Sequence, residues 1–293
     1  MGRTVRGGMY SIVAASIWGG MYVVSKVILN VVSPWQLVWL RYLVGLAALA
    51  ILIGIQKASW RIPRRDWALV GALSVVGYVV SIGAQFLGTH WANAAWGSVI
   101  TASTPALMIV FARPILGEAI TPGKVLGMIV AMLGVWVIVG GAPPAGHFLI
   151  GGLSLVVASV SWALSSVLVR RISADSSIVV VTFYAIALAE VIVSLWVIPT
   201  MQWKALAFTH VGRWAGILYL GAVSTAVAFW LWNRGLQLGN ATVSGMAFYA
   251  QPIVGSLLGA LFLGEPLTIR FLIGSAGIIS GGLVVWQMQR LDR

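Results

Sequence analysis

The polar and aromatic side chains set inside long apolar runs are where this sequence could do chemistry. Trp18 and Tyr22 stand one helical turn apart, with Ser25 following. Tyr78, Ser81 and Gln85 share a helix face at three-four spacing. Trp96 and Thr101 come shortly before a Thr104-Pro105 pair, Trp162 and Ser165 fall in "SVSWALSS", Trp230 is followed by Asn233, and Tyr249 and Gln251 lead into Pro252. Hydroxyls, amides and indoles donate and accept hydrogen bonds and offer π-faces, so this set can hold a solute. Any single Ser or Thr could instead bond its own helix backbone or tie two helices together. Equipment for breaking bonds is sparse. There is no cysteine, and the three histidines, His90, His147 and His210, fall in or beside loops far apart in sequence. No HExxH motif and no acidic cluster is present among the six acids. The reading is binding without catalysis: no catalytic, cofactor-binding or metal-binding residue is assigned, no cofactor is expected, and the chain is not expected to be an enzyme.

The elements that position these groups follow from composition. The chain has 293 residues, 60% hydrophobic and 8% charged, with mean hydropathy +0.99. A soluble domain carries nearer ~25% charge, and a folded sphere must show polar groups to water, so the solvent here is lipid. Ten apolar runs are long enough to cross a bilayer as helices: 9–29, 33–55, 67–88, 93–114, 123–141, 149–168, 177–198, 212–233, 240–263 and 269–288. The first is too long for a signal h-region. They are continuous rather than alternating, which disfavours a barrel. A net charge of +12 would raise nucleic acid as a partner in a soluble protein, but the basic residues form short clusters between spans, and the partner expected is the bilayer. With both termini in the cytoplasm, thirteen of the 18 Lys and Arg lie inside, while Lys204, Arg213 and Arg270 lie outside and Lys26 and Arg41 fall within spans. The positive-inside rule selects that orientation.

The phrase "PILGEAIT" at 114–121 returns as "LFLGEPLT" at 261–268. At an offset of 147, Gly88 meets Gly235, Asn93 meets Asn240, Pro105 meets Pro252, Gly117-Glu118 meets Gly264-Glu265, Gly127 meets Gly274 and Gly134 meets Gly281. Near the start of each half the offset is 144, where Trp18 meets Trp162. The chain thus reads as two five-helix repeats, residues 1–145 and 146–293, forming one structural unit. Because five crossings is odd, the second repeat enters from the opposite side and is inverted. The Gly-Glu phrase ends the fourth and ninth spans. Its Gly can terminate a helix, and its Glu can favour the next helix's N-terminus or act in a gate or ion pair.

Ten spans in five-plus-five inverted halves, an early Ser-x-x-Trp, a Pro in the fourth span and Leu-Gly-Glu at its end resemble the EamA-type branch of the drug/metabolite transporter superfamily. The length and Trp-rich character look most like its bacterial aromatic amino acid exporters. The resemblance implies an all-α integral membrane fold with a central cavity lined by helices 1, 3, 4, 6, 8 and 9, and helices 5 and 10 packed beside it. It also implies a bacterial inner membrane and export, a direction that no residue specifies.

On this reading the cavity residues are Trp18, Tyr22, Tyr78, Ser81, Gln85, Trp96, Thr101, Trp162, Ser165, Trp230, Tyr249 and Gln251. The prolines behind Thr104 and Gln251 remove a backbone donor; such breaks mark binding sites in transporters, and a simple kink is an equal account. Trp35, Trp39, Trp60, Trp67 and Trp91 fall near span ends, as belt anchors do. Arg41 and Glu190 lie roughly 12 Å deep in spans two and seven at about 1.5 Å per residue, where each needs a partner; those two helices need not touch. Glu190 could otherwise carry a proton. No Lys or Arg is expected at the midplane, so phosphorylated sugars and dicarboxylates are set aside. A weakly charged, ring-lined cavity suits a neutral amino acid, aromatic foremost, moved by alternating access; other small metabolites or drugs are the alternative.

Overall fold

The computed structural model describes residues 2–92, 100–139, 148–201, 211–239, 241–263 and 269–291, and all regular structure among them is helical. The helices are α1 (Arg3–Ile28), α2 (Pro34–Gln56), α3 (Trp67–Ala92, π-wound over Leu73–Ser81), α4 (Thr104–Leu116) and α5 (Pro122–Val139). There follow α6 (Phe148–Val169), α7 (Ile178–Thr200), α8 (Val211–Leu238, π-wound over Tyr219–Val227), α9 (Ala241–Ala247 and Ala250–Leu263) and α10 (Ile269–Leu291). Seven of the described helical stretches have the length and apolarity to cross a membrane. Thr104–Leu116, Pro122–Val137 and Ile269–Val285 are apolar but shorter.

Local chemistry sets the ends. Ser33 opens α2 with a reciprocal capping box: its Oγ accepts from the Gln36 N–H at 3.3 Å, while Gln36 Oε1 accepts from the Ser33 N–H at 3.0 Å, and Pro34 takes the first helical position. Gly117 ends α4 with φ 71°, a left-handed conformation that a side chain would strain. α1 begins at Arg3, several residues before the expected position, and α3 runs on to Ala92. Large apolar side chains such as Leu126, Leu133 and Trp136 on α5 and Leu272, Ile273 and Ile279 on α10 are exposed on the outside of the bundle. Facing lipid, they need no protein cover.

Glycines set the closest approaches. A Cβ on Gly127 would meet the Gly281 carbonyl oxygen at 2.6 Å, and one on Gly134 would meet that of Gly274 at 2.5 Å. As the number rises on α5 its partner's falls on α10, so these two helices run antiparallel. The α3–α6 contact, with Gly88 against Gly151 and Leu155, recurs as the α8–α1 contact, with Gly235 against Gly7 and Ser11. The two π-wound stretches also stand 146 residues apart, at matching places in the chain. α2 and α7, which the sequence left free to touch or not, do touch: Trp39 Nε1 donates to Ser194 Oγ at 2.9 Å.

At the end of the bundle that holds the N-terminus, polar ties join the loops. The buried Asp66 carboxylate accepts from Ser173 Oγ and Ser176 Oγ, both at 2.5 Å, and Arg65 pairs with Asp175. Glu118 pairs with Arg170, in the turn just after α6, which places it in an ion pair. Its expected counterpart Glu265, with Gly264 and Thr268, lies outside the described residues.

Candidate binding cavity

Both broken helices reach the centre. α4 starts at Thr104 after a turn at Ala102–Ser103, and α9 is interrupted at Phe248–Tyr249, 146 residues later, just before Gln251-Pro252. Proline supplies no N–H, so the chain tightens into 3₁₀-like bonds: Ser103 N–H to Ile100 O at 3.1 Å, and Gln251 N–H to Phe248 O at 3.1 Å. Beside the two breaks is a partly open cavity with about 370 Å³ of space between atoms, the open solvent at its mouth included. It is lined by Trp18 and Met21 of α1, Arg41 of α2, Ser81, Ile82 and Gln85 of α3, and Thr101 and Thr104 at the α4 break. Ala158, Ser159 and Trp162 of α6, Phe229 of α8, and Phe248 and Gln251 at the α9 break complete the wall.

Six of the expected residues therefore line it: Trp18, Ser81, Gln85, Thr101, Trp162 and Gln251. Tyr22 stands directly behind them, its hydroxyl 3.3 Å from Thr101 Oγ1 and accepting from Gln85 Nε2 at 2.9 Å. It fixes two wall residues. Tyr78 lies deeper, its hydroxyl accepting from Asn233 Nδ2 at 3.0 Å and its carbonyl from Tyr42 at 2.6 Å, with its ring against Phe229. Ser165 packs on Gly77 between α6 and α3. Two expected residues point elsewhere. Trp230 is half-buried against Tyr10, and the ring that α8 presents to the cavity is its neighbour Phe229. Tyr249 packs with Ala131, Val135 and Ile278 of α5 and α10. Trp96 lies outside the described residues.

Four of the wall residues, Trp18, Trp162, Phe229 and Phe248, are aromatic. Trp18 meets Trp162 edge-on, centroids 5.4 Å apart at 84°, and also touches Phe229, Trp232 and Phe248 at 5.5, 5.3 and 6.0 Å. Its Nε1 donates to the Ser224 carbonyl at 3.0 Å, beside the π-wound turn of α8. Trp162 Nε1 and Thr104 Oγ1 are buried cavity-wall groups with no hydrogen-bond partner among the described residues.

Arg41 is the residue whose place sequence reasoning missed. It was expected in a pairing with another helix, and a charged wall was not. It is fully buried, and its guanidinium lies over the rings of Phe86 and Phe229 at 5.2 and 5.7 Å. Its Nε donates to Thr225 Oγ1 at 2.8 Å; Nη2 reaches Ser224 O and Oγ, and Nη1 reaches Met21 Sδ, all at 3.4 Å. No ion pair to Glu190 forms, and both Glu190 carboxylate oxygens lack a hydrogen-bond partner among the described residues. The signal was available, since a cation in mid-span must be satisfied somewhere, but its partner was sought in protein. The expectation that no Lys or Arg reaches the cavity does not hold.

Comparison with known proteins places this geometry. The solved crystal structure of another protein superposes with TM-score 0.82 over 98% of this chain and 99% of its own, at 22% identity, which fixes the fold. The uncharacterized transporter YyaM of Bacillus subtilis is 25% identical over 287 residues, covering 94% of this chain and 92% of its own. An uncharacterized transporter of Archaeoglobus fulgidus is 26% identical over 270 residues, covering 92% and 95%. Residues 5–140 and 149–287 match the EamA-like transporter family, so nearly the whole chain is accounted for. This chain belongs to the EamA-like transporter family of the drug/metabolite transporter superfamily, and is a multi-pass membrane transporter.

Proposed function

We propose that the chain is a secondary carrier that exports neutral amino acids, aromatic ones foremost, by alternating access. Its two inverted halves, residues 1–145 and 146–293, surround one site, and both termini face the cytoplasm of a bacterial cell. The observation that carries this reading is the cavity itself. Two interrupted helices, α4 and α9, meet there from opposite halves, and Trp18, Trp162, Phe229 and Phe248 supply ring faces to an apolar side chain. Antiparallel packing of the repeat-related helices α5 and α10 supports the inverted relation. Two halves of similar sequence in opposite orientations can hold two similar packings of nearly equal energy, which alternating access requires.

Purified protein in proteoliposomes, offered labelled amino acids with and without a pH gradient, tests this. Saturable uptake of phenylalanine, tyrosine or tryptophan, with counterflow from preloaded vesicles, is the expected result. Flux at the empty-vesicle rate for every amino acid, from protein that remains monodisperse, would remove the amino acid reading; flux without saturation or counterflow would point to a channel. A second reading, export of other small metabolites of the same superfamily, draws on one observation: Arg41 in the wall lets the cavity take anionic solutes as well.

A further inference from the structure

We infer that Arg41 is the anchor for a carboxylate on the transported solute. The inference rests on the carrier reading and names the chemical group that its cavity selects. Burying a guanidinium away from water is costly unless charge and hydrogen bonds compensate it. Here the compensation is incomplete. The side chain has five N–H donors. One makes a good bond, to Thr225 Oγ1 at 2.8 Å, and the others reach only Ser224 and a thioether at 3.4 Å. The rings of Phe86 and Phe229 stabilise the cation but accept no hydrogen bond.

Among the described residues, the chain's own anions do not supply the missing charge. Of its six acids, Asp66, Asp175 and Glu118 are engaged by Ser173 and Ser176, by Arg65 and by Arg170. Glu265 and Asp292 lie outside the described residues, and Glu190 makes no bond to Arg41. Nearby wall groups are also donors in excess: Trp162 Nε1 and Thr104 Oγ1 are buried without partners among the described residues. A wall holding one fixed cation and spare N–H and O–H donors is complementary to a carboxylate, which accepts up to about four hydrogen bonds and pairs with Arg bidentately. Phe229 both touches Arg41 and lines the cavity, so a ring attached near the carboxylate would lie against the aromatic wall.

The test uses four probes on detergent-purified protein, with affinity read from concentration-dependent thermal stabilisation: phenylalanine, phenylalaninamide, phenylacetate and phenethylamine. Phenylalanine and phenylacetate should bind at least about tenfold tighter than the two compounds without a carboxylate, as expected for one charge-assisted contact. Arg41→Gln should bring that ratio close to one, and Arg41→Lys should keep part of it. A wild-type ratio near one, or a ratio that survives in Arg41→Gln, overturns the anchor. Should Arg41→Gln fail to fold, the wild-type ratio and its reduction in Arg41→Lys decide. A purely structural role for Arg41 would change stability and leave the ratio alone. Binding of phenylacetate without phenylalanine would keep the anchor and remove the amino acid reading. Equal binding of phenylalanine and its amide would do the reverse, and no binding by any probe removes both.

Discussion

At the scale of single residues, Trp162 concentrates what the cavity offers. Its ring is one wall, its edge-on contact with Trp18 sets the position of that second ring, and its indole N–H has no partner among the described residues. Removing the whole ring opens a void among packed aromatics, which typically costs about 3–5 kcal/mol, so Trp162→Ala alone would mix loss of site with loss of fold. Trp162→Phe separates them. It keeps the ring face and deletes the N–H. Trp162→Ala is expected to abolish measurable transport and lower the unfolding temperature, while Trp162→Phe, which loses only the fused five-membered ring, should lower it much less and lose about three- to tenfold in substrate affinity. Unchanged affinity in Trp162→Phe, measured by the same thermal-shift titration, would show that the N–H does not meet substrate.

At the scale of elements, much of the architecture could be read before any coordinates. Apolar run lengths located the helices, seven of which among the described residues are long enough to cross a membrane, and the two prolines marked the breaks in α4 and α9. What could not be read was rotation. The π-wound stretch Tyr219–Val227 lies just before Phe229 and Trp230, and a π-turn holds more residues than an α-turn, so it shifts the face presented by everything after it. Residue type alone picked out Trp230, whereas it is Phe229 that faces the cavity. The Glu118–Arg170 pair joins residues 52 apart and needed the packing of α4 on α6 to be known. The α5–α10 seam gives a prediction free of such ambiguity. A Cβ at Gly134 would stand 2.5 Å from the Gly274 carbonyl oxygen, and one at Gly281 would stand 2.3 Å from that of Gly127. Both obstacles are backbone, which cannot swing aside. Gly134→Val and Gly281→Val should each destabilise the protein by about 1–3 kcal/mol or more, seen as a lower unfolding temperature in detergent. Because the two sites are repeat-related and share one seam, the double variant should lose less than the two single losses combined. Additive losses would mean the seam does not act as a unit.

At the scale of the whole molecule, the organising feature is the relation between halves, which the contacts express as exchange. α3 meets α6 where α8 meets α1, and α5 meets its own counterpart α10 antiparallel. That is how a twofold axis in the membrane plane would arrange two five-helix units, and it makes a topological demand. Asn30, in the α1–α2 connection, and Ala174, in the α6–α7 connection, are equivalent at the offset of 144, and both are exposed. If the halves are inverted, these two positions stand on opposite faces of the membrane although they are the same place in the repeat. The chain contains no cysteine, so a single introduced thiol reports its own position without background. Asn30→Cys should react with a membrane-impermeant maleimide added to intact cells, while Ala174→Cys should react only once the cytoplasmic face is exposed in inverted vesicles. The Arg-rich surroundings of Ala174, with Arg170 and Arg171 close by in sequence, would put it on the cytoplasmic side by the positive-inside rule, so the two variants test orientation as well as inversion. Labelling of both from the same face would mean that the repeats run parallel, and a shared central site could then not be exposed alternately by exchanging the packing of equivalent helices.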